Sequence, residues 1–440
     1  MVLLYSEKIT PRIKYIAQTL FLQILKTEVL FTTNSAEFRK SDLPKINYSL
    51  EKFNDELYLK PHKLMHTKAL ITPTINPVWY NNEKYFFESS KDSFLPFDPL
   101  AAAFYLITRH EEWTEKSRDK LGRFQPENSI LAKYNLLQKP VVNIWANLLA
   151  EKINEKYPEF SLPKKEFKFI STIDIDNAWA FKNKGFLRTF AALLKSVVKG
   201  NFSEFGLRLK VLSGKENDPY NSYKYIDSVF KGNREKVKFF FLLGDYGRLD
   251  KNVSYKNRAL QKLIRKTKEK YDVGIHPSFK SAQKKGKKRV EMEKNRLESI
   301  LKNPVNSSRQ HFLQLRFPRT YRRLIAAGIT EDYTMGYSSQ PGFRAGICTP
   351  YYFYDLKKEK TTNLLIVPFQ VMDGTLRHYL KLSPDEAFTK IEKIMAEVKN
   401  VGGTFVSIWH NETVNNFELW EGYQQVFKKM NQLGFKWANE

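Results

Sequence analysis

The sequence predicts an α/β protein with two domains: a mixed α+β domain over residues 1–160 and a barrel-like β/α domain over residues 161–440. A chain of 440 residues with 42% apolar and 14% aromatic residues can bury more than one core. Residues 157–166 are polar and contain two prolines, which is typical of a linker. Behind this stretch, short apolar runs alternate with helical patterns, which indicates a parallel sheet.

The first 160 residues contain helical and strand-like segments without a regular alternation. Helices are predicted over residues 9–25, 98–113 and 139–153, and a short aromatic strand is predicted over residues 84–88. Asp98 has the side chain and the position of an N-cap for the second helix. This mixture predicts an α+β domain, to which the sequence assigns no role.

The second part alternates between strands and helices. Strands are predicted in the apolar segments 167–175, 236–245, 271–278, 307–313, 363–374 and 404–413. Helices are predicted over residues 221–232, 257–270, 289–303, 320–328, 383–403 and 417–434. About seven such units in about 280 residues predict a β/α barrel.

The net charge of +26 lies almost wholly in the second part, because residues 1–160 have a net charge of +3 and the remainder has +23. A polyanion, an anionic lipid or membrane surface, an acidic substrate or a solvated basic face would each explain this excess. Residues 279–296 form a basic loop that is either solvated or a docking strip for an anionic glycan or lipid. Nucleic acid is the disfavoured partner, because no signature of a nucleic-acid-binding motif is present.

Cysteine content and hydropathy indicate in which cellular compartment the protein is expected. The single cysteine, Cys348, excludes a disulfide framework and a cysteine-based zinc cluster. Residues 1–25 lack the apolar core of an export signal, and no run reaches about 18 apolar residues. The expected location is therefore the cytoplasm, with peripheral contact to the inner membrane as an alternative.

Polar side chains stand where the predicted strands end. They are Asp174, Asp176, Asp245, His276, Arg309, His311, His410 and Glu412. In a barrel the carboxyl ends of the strands meet at the face that holds the active site. Asp174 and Asp176 can reach one site together, because alternate residues of a strand share a face. One carboxylate and two imidazoles are a common ligand set for zinc, and a further carboxylate and histidine can move protons.

In order along the chain, the segments TIDID, GIHPSF, SRQHFL and SIWHNE resemble motifs of the polysaccharide deacetylases, the NodB-homology carbohydrate esterases. The chain is most similar to a bacterial subgroup with an extra N-terminal domain. The resemblance implies a distorted (β/α)7 barrel over roughly residues 165–440. It also implies that Asp174 is the general base, that Asp176 and His276 bind one divalent metal ion, and that His410 is the general acid.

The sequence departs from the family pattern at two positions. Ile175 separates two acids that are commonly adjacent, and Lys280 stands where the family carries a second histidine. The resemblance then implies that His311 supplies the missing imidazole and that Arg309 orients the base. Arg344 lies in a segment that we associate with the subgroup, and it would bind the substrate.

The resemblance implies a hydrolase that removes an acetyl group from an N-acetylated sugar of a surface glycan or its precursor, with zinc as the expected ion. The alternative is an inactive relative whose barrel binds a glycan or a protein partner. A nucleic-acid-binding protein is the least favoured hypothesis. Metal content separates the first two hypotheses, because the hydrolase should bind about one ion through Asp176.

Overall fold

The computed structural model describes residues 1–161 and 164–440, so that residues 162–163 of the predicted linker lie outside the described residues. In the part of the chain that is described, every helix is too short or too polar to cross a membrane.

The first part contains a small parallel sheet and a hairpin. The sheet has four strands, β1 Val2–Tyr5, β2 Val29–Thr32, β3 Lys45–Asn47 and β4 Leu57–Tyr58, in the order β2-β1-β3-β4. Two further strands, β5 Pro77–Tyr80 and β6 Glu83–Phe86, pair as an antiparallel hairpin. The α-helices described here are α1 Pro11–Gln18, α2 Ser35–Lys40, α3 Pro99–Ile107, α4 His110–Thr114, α5 Ile130–Lys133 and α6 Val141–Lys156.

Local sequence signals explain where these elements begin and end. Asp98 is the N-cap of α3, as predicted, and its Oδ1 accepts hydrogen bonds from the backbone N–H groups of Leu100 and Ala101. The helix predicted over residues 9–25 is divided, because α1 gives way to a π-helical segment at Thr19–Ile24. The predicted aromatic strand is confirmed as β6.

The second part is built on one mixed sheet. Its strands are β7 Lys168–Ile175, β8 Val237–Phe241, β9 Asp272–Ile275, β10 Ser307–Ser308, β11 Glu331–Asp332, β12 Tyr351–Asp355, β13 Lys360–Ile366, β14 Val371–Met372 and β15 Thr404–His410. They lie in the order β12-β13-β11-β10-β9-β8-β7-β15-β14. Neighbouring strands are parallel, except that β12 and β13 are antiparallel.

On one side of β7 the parallel strands β8, β9, β10, β11 and β13 follow one another in chain order. On its other side lie β15 and then β14. A barrel requires this order, and the α/β class with a largely parallel sheet is confirmed. Among the described residues, no strand pair joins β13 to β14. Closure of the sheet into a (β/α)7 barrel therefore stays a prediction.

Helices lie between most of the parallel strands and after the last one. They are α7 Phe186–Val198, α8 Phe202–Leu212, α9 Tyr223–Val229, α10 Arg258–Lys268, α11 Phe279–Ala282, α12 Lys287–Leu301, α13 Arg319–Ala326, α14 Pro384–Val401 and α15 Tyr423–Ala438. The hairpin of α7 and α8 and the edge strand β12 are elements that the sequence did not predict.

Two predicted strands are shorter than expected. The segment 363–374 contains β13 and β14 instead of one strand, and Pro368 lies in the gap, where it cannot donate to a neighbouring strand. The segment 307–313 is paired only at β10, because the chain then turns, with Phe312 at a φ of 57°. His311 lies just before this turn and donates its backbone N–H to the backbone oxygen of Pro277, so it lies at the carboxyl edge of the sheet.

The central strands are buried on both faces, so polar groups collect where the strands end. β8 carries buried phenylalanines at positions 239, 240 and 241, and most of β7 is buried as well. In the pairing of β7 with β15, His410 lies opposite Asp174. The parallel register thus brings two of the predicted site residues side by side.

Candidate metal centre

Strand ends supply the candidate site. Asp174 lies in β7, and Asp176 follows the last residue of that strand. His276 follows β9, and His410 is the last residue of β15. His311 follows β10 in a short 3₁₀ segment. All five residues therefore lie at the carboxyl edge of the sheet.

Asp176, His276 and His311 converge on one point. A potential ligand atom of each lies within 4.8 Å of the other two. His276 Nε2 is 3.2 Å from Asp176 Oδ1, and His311 Nε2 is 3.3 Å from Asp176 Oδ2. The three residues predicted to be ligands thus form a possible metal site.

The surroundings of the two histidines fix the orientation of both rings. His276 Nδ1 lies 2.5 Å from the backbone oxygen of Arg309, and His311 Nδ1 lies 3.0 Å from Asp250 Oδ1. Because both partners are acceptors, each Nδ1 donates and each Nε2 is turned towards Asp176. Metal-binding histidines are commonly held by an acceptor in this way.

A buried carboxylate oxygen of Asp176 indicates whether a metal ion fits between the three side chains. Asp176 Oδ1 makes no hydrogen bond, although it is buried. A buried carboxylate oxygen without a donor is costly unless a cation meets it. Two imidazoles and one carboxylate suit zinc and related divalent ions, and they leave a coordination position open. The residues present therefore fit one divalent ion.

The charges of the cluster shift the pKa values of its members. Burial would raise the pKa of Asp176, but His311 and His276 hold it well below its ordinary value. Burial would lower the pKa of His311, but Asp176 and Asp250 raise it to about 9. Without a metal, His311 is therefore protonated at neutral pH and bridges two carboxylates.

Asp174 is held by a fully buried arginine. Arg309 Nη1 donates to Asp174 Oδ1 at 2.8 Å and to Thr172 Oγ1 at 2.6 Å. Arg309 Nε donates to the backbone oxygen of Tyr333, and its guanidinium carbon lies 4.7 Å from the ring centroid of Phe240. Asp174 Oδ2 lies 3.9 Å from His276 Nε2. One carboxylate oxygen is therefore anchored while the other faces the candidate metal site.

His410 faces the cluster from the opposite side and has its own acidic partner. Asp373 is fully buried, accepts a hydrogen bond from the backbone N–H of His410 at 2.8 Å, and lies 2.9 Å from His410 Nδ1. His410 Nε2 is 3.9 Å from Asp176 Oδ2. Burial would lower the pKa of His410, but Asp373, Asp176 and Asp174 raise it well above its ordinary value. The imidazole is therefore protonated at neutral pH.

A cavity of about 430 Å³ opens over these groups. Its wall combines aromatic and polar side chains, among them Tyr220, His378, Tyr379 and Trp420. Arg123, from the first part of the chain, also lines it, and donates to Asp119 at 2.8 Å and to the Tyr379 hydroxyl at 3.1 Å. Burial, followed by the charge of Asp176, raises the pKa of Glu412 in the wall to about 7.

Sequence reasoning missed three residues of this region. Asp373 ends a predicted strand, so the strand-end signal that singled out Asp174 could have found it. Asp250 lies in a loop after β8, and Arg123 lies in the first part of the chain. The sequence carries no comparable signal for these two, because their positions depend on how distant segments pack.

Arg344 and Asp245, both singled out from the sequence, lie outside the cavity wall and make no contact with the metal cluster. Arg344 is buried, and it donates to both carboxylate oxygens of Glu112 and to the backbone oxygen of Gly336. These contacts give its predicted role in substrate binding no support. Asp245 is half exposed and pairs with Arg289 and Arg296 instead of facing the cluster.

Comparisons with known proteins give one match to a family model and several distant structural likenesses. Residues 2–158 match the model of a family of unknown function, DUF7033. No curated protein matches the chain. Among solved structures, one assigned as a polysaccharide deacetylase from Mycobacterium smegmatis is 13% identical with a TM-score of 0.39, over 63% of this chain and 86% of that chain.

Two further structures are similar over 62% of this chain. A 4-alpha-glucanotransferase from Thermococcus litoralis is 15% identical with a TM-score of 0.37, and 38% of that chain is covered. A mutant of a CE4 family pseudoenzyme with restored enzymatic activity is 12% identical with a TM-score of 0.26, and 64% of that chain is covered. These likenesses are distant and assign no activity to this chain.

Proposed function

We propose that this chain is a metal-dependent hydrolase that removes the acetyl group from an N-acetylated sugar of a surface glycan or its precursor. The observation that carries the proposal is the convergence of Asp176, His276 and His311 between an anchored carboxylate, Asp174, and a protonated imidazole, His410. A ligand set flanked by a base and an acid has the groups that hydrolysis of an amide requires.

Each residue has a distinct role in this proposal. Asp176, His276 and His311 would hold a divalent ion, which, when bound, acts as a Lewis acid and lowers the pKa of water. Asp174 accepts the proton of the attacking water through the oxygen that faces the cluster. His410 gives its Nε2 proton to the departing amine, because an amine leaves readily only when it is protonated.

Two buried partners position the acid and the base. Arg309 donates to Asp174 and fixes its orientation, and Asp373 fixes the orientation of the His410 ring. Neither partner needs to touch the substrate for this purpose. We regard both as positioning residues.

The composition of the cavity supports a sugar as the substrate. Trp420, Tyr379 and Tyr220 place aromatic rings beside polar groups. A sugar ring has C–H faces that pack on aromatic rings and hydroxyl edges that take hydrogen bonds, so it matches such a mixture. The motifs TIDID, GIHPSF, SRQHFL and SIWHNE, which resemble those of polysaccharide deacetylases, point to the same substrate class.

We also propose the two predicted domains, with an α+β domain over residues 1–160 and a barrel over residues 161–440. Each part has its own sheet, and the DUF7033 match ends at residue 158. Two residues of the first part contact the second part. Arg123 lines the cavity, and Glu112 accepts a hydrogen bond from Arg344. The first domain would thus help to shape the site.

Metal content and acetate release test this function together. The purified protein is expected to retain about one divalent ion per chain and to release acetate from N-acetylglucosamine oligomers. Asp176→Ala should weaken metal binding by about 100-fold or more, because loss of a residue that only hydrogen-bonds to a metal ligand already costs about 10–100-fold. The measurement is metal analysis after dialysis, combined with an acetate assay.

His378→Ala is the matched control, because His378 lines the same cavity but is not among the converging ligands. It should keep the ion. A native protein that takes up no zinc, cobalt or similar ion when supplied would overturn the proposal and favour the inactive barrel that binds a glycan or a protein.

Metal affinity should fall as the pH falls. His311 has a pKa of about 9 without metal, so below that pH a proton must leave before the ion binds. Between about pH 8 and about pH 6, the affinity should drop by up to about tenfold per pH unit. Chelator competition at several pH values measures the slope.

Asp250→Asn provides the contrast, because it removes one of the charges that raise the pKa of His311. In this variant the pH dependence should begin at a lower pH. A metal affinity that stays constant over the same range in the native protein would contradict the ligand role of His311.

A further inference from the structure

The helical hairpin of α7 and α8, residues 186–212, exposes an unusual amount of apolar surface. Its large exposed apolar side chains are Phe186, Leu187, Phe190, Leu194, Val197, Val198, Phe202, Leu209 and Leu212. Phe186, Leu187 and Val198 are 83%, 81% and 86% exposed. Contiguous apolar surface of this kind on a folded protein marks an interaction site.

The pattern is regular along both helices. In α7, Leu187, Phe190, Leu194 and Val197 are spaced three and four residues apart, so they lie on one face. The buried residue of α7 is Ser196, so this helix shows its leucines to solvent and buries a serine. A helix that only covers a protein core has the opposite arrangement.

The hairpin is also strongly basic. Residues 186–212 contain five lysines and arginines but one acidic residue, Glu204. Arg208 pairs with Glu204, and Lys195 and Lys199 are exposed beside the apolar face. A second copy of this chain would bring an equal positive charge against it, and this repulsion disfavours a dimer through this surface. An apolar face edged by lysines instead matches a surface with an apolar interior and anionic groups at its boundary.

The position of the hairpin relates it to the cavity. It lies in the connection between β7 and α9, which starts after Asp176 and reaches α9 just after Tyr220. Both of these residues line the cavity. The hairpin therefore leaves the sheet at the same carboxyl edge that carries the candidate metal centre.

We propose that the α7–α8 hairpin is a membrane-docking element that lies in the interface of a lipid bilayer with anionic headgroups. Its apolar face would enter the boundary between headgroups and acyl chains, while its lysines contact the headgroups. α7 and α8 have 13 and 11 residues, so they suit attachment in the plane of the membrane and are too short to span it. Docking would place the cavity next to the bilayer.

Vesicle binding tests the proposal without any need for catalysis. The full chain is expected to sediment with vesicles of phosphatidylcholine and phosphatidylglycerol, to bind weakly to phosphatidylcholine alone, and to be partly released by salt. Leu194→Asp should weaken binding to the anionic vesicles by about tenfold or more, because the variant loses an apolar side chain that would enter the bilayer and gains a negative charge.

Leu50→Asp is the matched control, since Leu50 is also exposed, at 64% against 51% for Leu194, but lies outside the hairpin. It should bind vesicles as the native protein does. Thermal unfolding and metal content should be unchanged in both variants, so a failure here is distinguishable from a failure of the proposed hydrolase.

Three results would overturn the proposal. The first is no binding of the native protein to anionic vesicles. The second is an equal loss of binding in the Leu194→Asp and Leu50→Asp variants. The third is a lipid-free dimer that Leu194→Asp dissociates, because a second copy would then cover the apolar face.

Discussion

Replacement of Asp174 by asparagine is expected to lower kcat for acetate release by about 10²–10⁴-fold, the range that a general base contributes. The amide has nearly the same shape and can still accept a hydrogen bond from Arg309, but it cannot take a proton from water. Asp176, His276 and His311 are unchanged, so metal content should stay at the native level. Steady-state kinetics and metal analysis on the same preparation check both parts.

Asp245→Asn is a matched control, because Asp245 also follows a strand of the sheet but pairs with Arg289 and Arg296 at the surface. This variant should keep the native kcat. If Asp174→Asn hydrolysed the substrate at the native rate with its metal bound, Asp174 would not be the base. If it lost the metal, Asp174 would belong to the ligand set instead.

Replacement of Arg344 by alanine is expected to lower the free energy of unfolding by about 3–5 kcal/mol, the cost of breaking a buried ion pair. Arg344 Nη2 lies 2.6 Å from Glu112 Oε2, and Arg109 Nε lies 2.7 Å from Glu112 Oε1. All three side chains are at most 2% exposed. Alanine leaves Glu112 buried with one of its two cations, and urea denaturation measures the loss.

The comparison for this effect is Arg289→Ala, which breaks a pair with Asp245 whose partners are 37% and 48% exposed. Exposed pairs contribute up to about 1 kcal/mol, so this variant should be close to the native protein. Equal unfolding free energies for the two variants would show that Arg344 has no structural role. Arg344 would then be free for the substrate role predicted from the sequence.

The alternation of strands and helices predicted the α/β class and the position of the candidate site. Asp176, His276 and His311 could be grouped from sequence because parallel strands end at one edge, and the structure brings them together. The catalytic roles of Asp174, His410 and Arg309 stay proposals.

The remaining features depend on contacts between distant segments, which no local pattern encodes. Asp250 reaches His311 from a separate loop, and Glu112 meets Arg344 across 232 positions of the chain. The exposure of the apolar face of the α7–α8 hairpin could not be predicted from sequence either, because an amphipathic pattern does not reveal whether the apolar side contacts protein or solvent.

Two separate parts of the chain line the cavity, and they differ in how well they tolerate substitutions. Arg123 sits on a loop between α4 and α5, whereas the groups around Asp176 are fixed by the parallel sheet. Loops tolerate replacement far better than buried strand ends. Substitutions in the loop around Arg123 would therefore change the shape of the cavity wall, while Asp176, His276 and His311 would keep their positions at the strand ends.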